Sequence, residues 1–212
     1  MSIRFFPRPG GHQIAYMQRK GRSPGILFLP GLGSNMISLK GDALDRFASS
    51  QGLSYLRYDP FGHGSSSGEQ TEATVARDRP HKIKALIGIA SAPDCTRETI
   101  PKRMDKDQLD ELTRGTRSYI QVAGGWKVTQ NFLEEGEKHC VLDQDMHVDY
   151  PVRLLHGTED VTVPPSLSKR LKDRMIGDDV QVKMIDGGDH RLSTPENLDI
   201  LLNTIRKPLL LQ

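Results

Sequence analysis

Asp160 and His190 are the residues of this chain whose types and spacing most directly suggest chemistry. Asp160 closes the stretch Leu154-Leu-His-Gly-Thr-Glu-Asp160, an apolar strand pattern running into a short loop. His190 sits at the tip of Asp186-Gly-Gly-Asp-His190, just after the strand pattern Val180–Ile185. The interval between them holds one helix and one strand, so both side chains would reach one sheet edge from neighbouring strands. An aspartate that orients an imidazole and a histidine that accepts a proton are the acid and base of nucleophilic hydrolysis. A third loop, Pro30-Gly-Leu-Gly-Ser-Asn35, follows the apolar run Ile26–Leu29. It fits a dinucleotide loop poorly, because Met36 stands where G-x-G-x-x-G needs its last glycine. No Gly-Lys-Ser/Thr for a P-loop accompanies it. The backbone N–H of Leu32 could face a developing oxyanion, and taken alone the loop also reads as a plain glycine-rich turn.

Gly64-Ser-Ser-Ser-Gly68 spells G-x-S-x-G, the pattern of a serine nucleophile on a strand-to-helix elbow. Its flanks contradict that role. Asp59-Pro-Phe-Gly-His63 precedes it and Glu69-Gln-Thr-Glu72 follows, giving neither an apolar strand nor a helix of small residues. Ser66 therefore reads as a loop serine. Cys140 beside His139 invites a thiol mechanism, but sequence neighbours rarely form a catalytic pair.

The elements that must position these residues alternate strand and helix, an α/β pattern with a mainly parallel sheet. Strands are expected at Arg4–Phe6, Gln13–Lys20, Ile26–Leu29, Leu53–Tyr58, Ala85–Ala90, Val152–Leu155 and Val180–Ile185. A helix carrying Leu44, Phe47 and Ala48 should end at Gly52. Leu167, Leu171 and Met175 recur at helical spacing after Pro164-Pro165, and a last helix should start near Ser193-Thr-Pro-Glu196 and stop at Pro208. Residues 94–150 read as a polar, mainly helical insertion. The chain's 212 residues fit one domain. A net charge of +2 gives no argument for nucleic acid or an anionic membrane, and no apolar run has the length of a membrane span. Two cysteines cannot make a disulfide framework.

Several segments, in order along most of the chain, resemble the α/β-hydrolase superfamily of serine esterases and thioesterases. They are Lys20-Gly-Arg-Ser-Pro-Gly-Ile-Leu-Phe-Leu-Pro-Gly31, Ser34-Asn-Met36, Arg57-Tyr-Asp-Pro-Phe-Gly-His-Gly-Ser-Ser66, Ala85–Ala90, Glu137-Lys-His-Cys140, Pro151-Val-Arg-Leu-Leu-His-Gly157 and Asp189-His-Arg191. Within it the resemblance is to the mitochondrial branch acting on acyl thioesters, including S-palmitoylated proteins, and on acyl-glucuronide esters. The resemblance implies that Asp160 is the triad acid, His190 the base and Leu32 an oxyanion donor, with residues 94–150 a cap over the acyl pocket. It implies neither metal nor organic cofactor, and a small acyl ester or S-acylated protein as partner. Asp59, Gly62, Gly64 and Ser66 match the family's D-x-x-G-x-G-x-S loop.

The resemblance breaks after that loop. A helix, the nucleophile strand, its elbow and another helix need about 45 residues at ordinary element lengths, and only Glu69–Lys84 is available. A block is therefore expected to be missing at Val75–Ala76, and the nucleophile with it. The expectation is a near-inactive shortened form, with a non-catalytic acyl-binding or regulatory isoform as the alternative. The chain opens directly on a strand and closes early at Arg206–Gln212, so the mitochondrial address of the family is absent as written and a cytoplasmic place is the other expectation. Without the nucleophile strand, Ile26–Leu29 and Ala85–Ala90 are expected to pair directly, since a buried unpaired N–H or C=O costs about 1–3 kcal/mol.

Overall fold

The computed structural model describes residues 1–68, 83–122 and 127–210. The junction at Val75–Ala76 lies outside the described residues. Two compact units divide the chain, Met1–Ala73 and Thr74–Gln212.

In the first unit β1 (Arg4–Pro7), β2 (Gln13–Arg19), β3 (Arg22–Phe28) and β4 (Leu53–Tyr58) form one sheet in the order β1-β2-β4-β3. Only β3 and β4 run parallel. Along β4, Leu53, Tyr55 and Arg57 alternate inward with a period of two, as one buried sheet face requires. Helix α1 (Leu39–Ser50) lays Leu44, Phe47 and Ala48 into the core. Its cap is Ser38, whose side chain accepts from the Gly41 N–H at 3.1 Å. The Tyr55 hydroxyl donates to the Gly41 carbonyl at 2.9 Å, tying sheet to helix. The run Ile26–Leu29 is apolar throughout, as suits a strand covered on both faces, yet Leu27 is 48% and Leu29 43% exposed. Phe28 between them is buried.

The second unit is built on a parallel three-stranded sheet, β5 (Leu86–Ile89), β9 (Val152–Gly157) and β11 (Val180–Ile185), in the order β11-β9-β5. Between β5 and β9 come α2 (Cys95–Glu98), α3 (Lys106–Thr113), β6 (Ile120–Gln121), β7 (Lys127–Val128), α4 (Gln130–Glu137) and β8 (Met146–His147). After β9 follow α5 (Ser166–Arg174), β10 (Met175–Ile176) and, beyond β11, α6 (Pro195–Leu210). Val152, Leu154, Val163, Leu167 and Leu171 form the core against the sheet. Leu112, Ile120, Val128 and Phe132 form a smaller one within the insertion. The mostly parallel sheets flanked by helices are the α/β architecture the sequence pattern indicates.

Two expectations need correction. Met175 opens β10, which pairs with β8, and is not the last turn of a helix; its apolar character serves the core it packs against. Helix α6 continues through Pro208 to Leu210, since a proline there removes one amide hydrogen while its φ stays helical. The expected pairing of Ile26–Leu29 with Ala85–Ala90 would join the two units; within them β3 pairs with β4 and β5 with β9.

Candidate active site

The loops after β9 and β11 are laced together. Thr158 N–H donates to the Ile185 carbonyl at 2.9 Å and Glu159 N–H to the Gly188 carbonyl at 3.0 Å. The Gly187 N–H donates to Thr158 Oγ1 at 2.9 Å. A Cβ on Gly157 would lie 2.0 Å from the Gly188 oxygen, so only glycine lets the two loops close. This lacing brings the two chemical residues together, with His190 Nδ1 2.8 Å from Asp160 Oδ2. The Asp160 side chain is fully buried, whereas that of His190 is 38% exposed. Oδ1 of Asp160 accepts from the N–H groups of Thr162 and Val163, both at 2.8 Å. Burial pushes the Asp160 carboxyl up, but the Val163 amide, His190 and the Thr162 amide outweigh it and hold it below the ordinary carboxylate range.

In the first unit the loop bearing Leu32 is anchored just after that residue, at Gly33 and Met36. The fully buried Met36 donates its N–H to Asp59 Oδ1 at 2.6 Å, and its carbonyl accepts from Arg57 Nη1 at 3.1 Å. Arg57 also pairs with Asp42 at 2.8 Å. The Gly33 N–H donates to His63 Nε2 at 3.1 Å. His63 Nδ1 faces the Phe61 carbonyl at 3.0 Å and so carries the ring hydrogen. Leu32 itself is 38% exposed.

Ser66 is committed to the same loop. Its hydroxyl donates to the Asp59 carbonyl at 2.7 Å and accepts from the Ala15 N–H at 2.8 Å. Ser65 N–H donates to Asp59 Oδ2 at 2.8 Å. Gly64, at φ +51°, passes so close that a Cβ would lie 2.1 Å from that oxygen. A hydroxyl engaged as donor and acceptor by the backbone is a brace between loop and strand. Cys140 is no better placed as a nucleophile: burial pushes its thiol up to about 11, leaving little thiolate at neutral pH. Among the described residues no group of three or more His, Cys, Asp or Glu could hold a metal ion. No helix among them is long and apolar enough to cross a membrane.

No family model matches the chain. Bovine palmitoyl-protein thioesterase ABHD10, a mitochondrial protein, is 32% identical over 250 residues, covering 96% of this chain and 79% of that protein. The human ABHD10 protein is 31% identical over 241 residues, with the same two coverages. The chain belongs to the ABHD10 family of α/β hydrolases. The solved structure of mouse ABHD10 superposes with a TM-score of 0.87 at 30% identity, covering 99% of this chain and 98% of that one. A putative hydrolase from Agrobacterium vitis shares the fold at 23% identity with a TM-score of 0.82.

In this ABHD10-family chain the sequence reading missed the polar groups beneath the site. Arg57 and His156 are buried polar residues on strands β4 and β9. That placement was the available signal, because a buried polar side chain needs a specific partner.

Proposed function

We propose that this chain is a form of a serine ester and thioester hydrolase that lacks its nucleophile and turns over little or no substrate. One observation carries the reading. The 96% of this chain that matches is about 204 of 212 residues, so the 250-residue bovine match leaves about 46 positions without a counterpart. The 241-residue human match leaves about 37. That is the size of a helix, strand, elbow and helix at ordinary element lengths, about 45 residues. The use of Ser66 as a brace supports the same reading.

In the complete mechanism a serine attacks the acyl carbon. His190 takes the proton and returns it to the leaving group, Asp160 orients His190, and the Leu32 N–H stabilises the oxyanion. Residues 94–150 form the cap over the acyl group. The substrates are those of the relatives by name, S-palmitoylated proteins, with small acyl esters including acyl glucuronides. We take the compartment to be that of the mitochondrial relatives. Loss of a triad nucleophile costs on the order of a million-fold in turnover.

Labelling with a fluorophosphonate and hydrolysis of p-nitrophenyl esters test the reading together. The chain should stay unlabelled and hydrolyse the ester no faster than His190→Ala. A labelled serine anywhere in the chain, or turnover abolished by Ser66→Ala, overturns it.

A further inference from the structure

His156 is a buried imidazole with no part in that chemistry. It is 0% exposed and reaches three groups. Nδ1 lies 2.7 Å from Ser168 Oγ. Nε2 lies 3.0 Å from the Val163 carbonyl and 3.0 Å from Asp160 Oδ2. The Val163 carbonyl only accepts, so Nε2 carries the ring hydrogen and gives it to that carbonyl, with Asp160 Oδ2 lying beside it. In the neutral ring Nδ1 is then an acceptor, and the Ser168 hydroxyl donates to it.

Ser168, His156 and Asp160 thus stand in the contact order of a catalytic triad, but Ser168 and His156 are both sealed from solvent. No acyl group can reach that serine. What the arrangement can do is act on Asp160. The carboxylate receives two backbone hydrogens on Oδ1 and faces two imidazoles on Oδ2. Val163 joins the circuit from both sides, giving its N–H to Asp160 and its carbonyl to His156. Ser168 lies on α5, so the packing of that helix bears on the carboxylate through one ring. The charged residues next to the pair in sequence, Glu159, Asp189 and Arg191, are exposed on the two loops, and Asp189 Oδ1 accepts from the Leu192 N–H at 2.8 Å.

We propose that His156, held by Ser168, is a positioning residue for Asp160. Its Nε2–H holds the Val163 carbonyl and lies against Oδ2, taking up part of the carboxylate's charge, which sets how strongly Asp160 holds His190. This rests on the reading of Asp160 and His190 as acid and base.

Proton and nitrogen NMR on the full chain test it. In the unaltered protein His156 should be the neutral Nε2–H tautomer, and the Nδ1–H of His190 should give a low-field proton signal. His156→Leu removes the polar N–H beside Oδ2, so the His190 signal should move further downfield. His156→Gln, whose amide can set an N–H against Oδ2 again, should return it toward its original place. A side chain that only fills space would leave the signal unmoved in both variants, and that result overturns the proposal while the acid–base reading stands. Nδ1–H at His156 in the unaltered protein overturns it without any variant. Absence of a low-field His190 proton at every pH removes the acid–base pair and the proposal together.

Discussion

Asp59→Ala tests how the loop carrying Leu32 is held. Asp59 is 1% exposed, and its two oxygens accept from the amides of Met36 and Ser65. The two contacts are not equal. Met36 is 0% exposed, so its N–H would be left unpaired in the core, at about 1–3 kcal/mol. Ser65 is exposed and water can replace its partner, so its bond contributes about 0.5–1.5 kcal/mol. The sum is about 1.5–4.5 kcal/mol, against a total stability of about 5–15 kcal/mol for a domain. Asp59→Asn should cost only about 1 kcal/mol. Its amide oxygen can keep Met36 while its NH₂ faces the Ser65 N–H, where water serves instead. Urea unfolding followed by circular dichroism gives the totals, and amide exchange at Met36 assigns them. Exchange there should accelerate about tenfold per 1.4 kcal/mol lost locally in the alanine variant and change little in the asparagine variant. An alanine variant within about 0.5 kcal/mol of the parent, with Met36 still protected, would show that Asp59 does not anchor this loop.

Asp160 supplies a pH dependence with a definite sign. Its folded-state carboxyl is held below the ordinary value, so the stability it contributes is full above the unfolded value near about 3.9. That contribution disappears as pH falls through the folded value. Urea midpoints measured between about pH 2 and pH 7 should therefore fall more gently in Asp160→Asn than in the parent, and parallel curves would refute the assignment. Ser66→Ala strands the N–H of the fully buried Ala15 and should lower stability by about 1–3 kcal/mol; a neutral substitution would show that the brace is not needed. Inserting the relatives' block between Val75 and Ala76 should raise the melting temperature and reduce aggregation. Equal melting temperatures and equal solubility would mean the block belongs elsewhere.

Strand positions were legible where burial is one-sided or complete. Leu53–Tyr58 and Val180–Ile185 were found at their full length because alternation, or an apolar run bounded by turn residues, has one reading there. Met175 misled because four-residue spacing after Leu167 and Leu171 fits a helix face equally well as a helix followed by a strand packed on the same core. Within the site, Asp160 and His190 were visible because an aspartate and a histidine in loops after apolar strands stand out. His156, Arg57 and the second role of Asp59 were not, since their partners are largely backbone groups brought close by folding.

The completeness of the Asp160–His190 pair says nothing about activity, and the reason lies in where its supports come from. The contacts described that hold the pair lie between Gly157 and His190, from the lacing of Gly157 against Gly188 to the amides of Thr162 and Val163. The loop of Leu32 is likewise held by residues of the first unit alone, among them Arg57, Asp59 and His63. Each part is thus locally encoded, and neither needs a nucleophile strand to form. A segment lost between the two units could remove the reacting atom and leave the acid, the base and the anchored loop in place. Local geometry at Asp160 and His190 is therefore expected to be insensitive to restoring the block, whereas turnover should depend on it entirely. A His190 Nδ1 proton signal that shifts strongly on restoration would mean that the pair is shaped from outside its own loops, contrary to the contacts described.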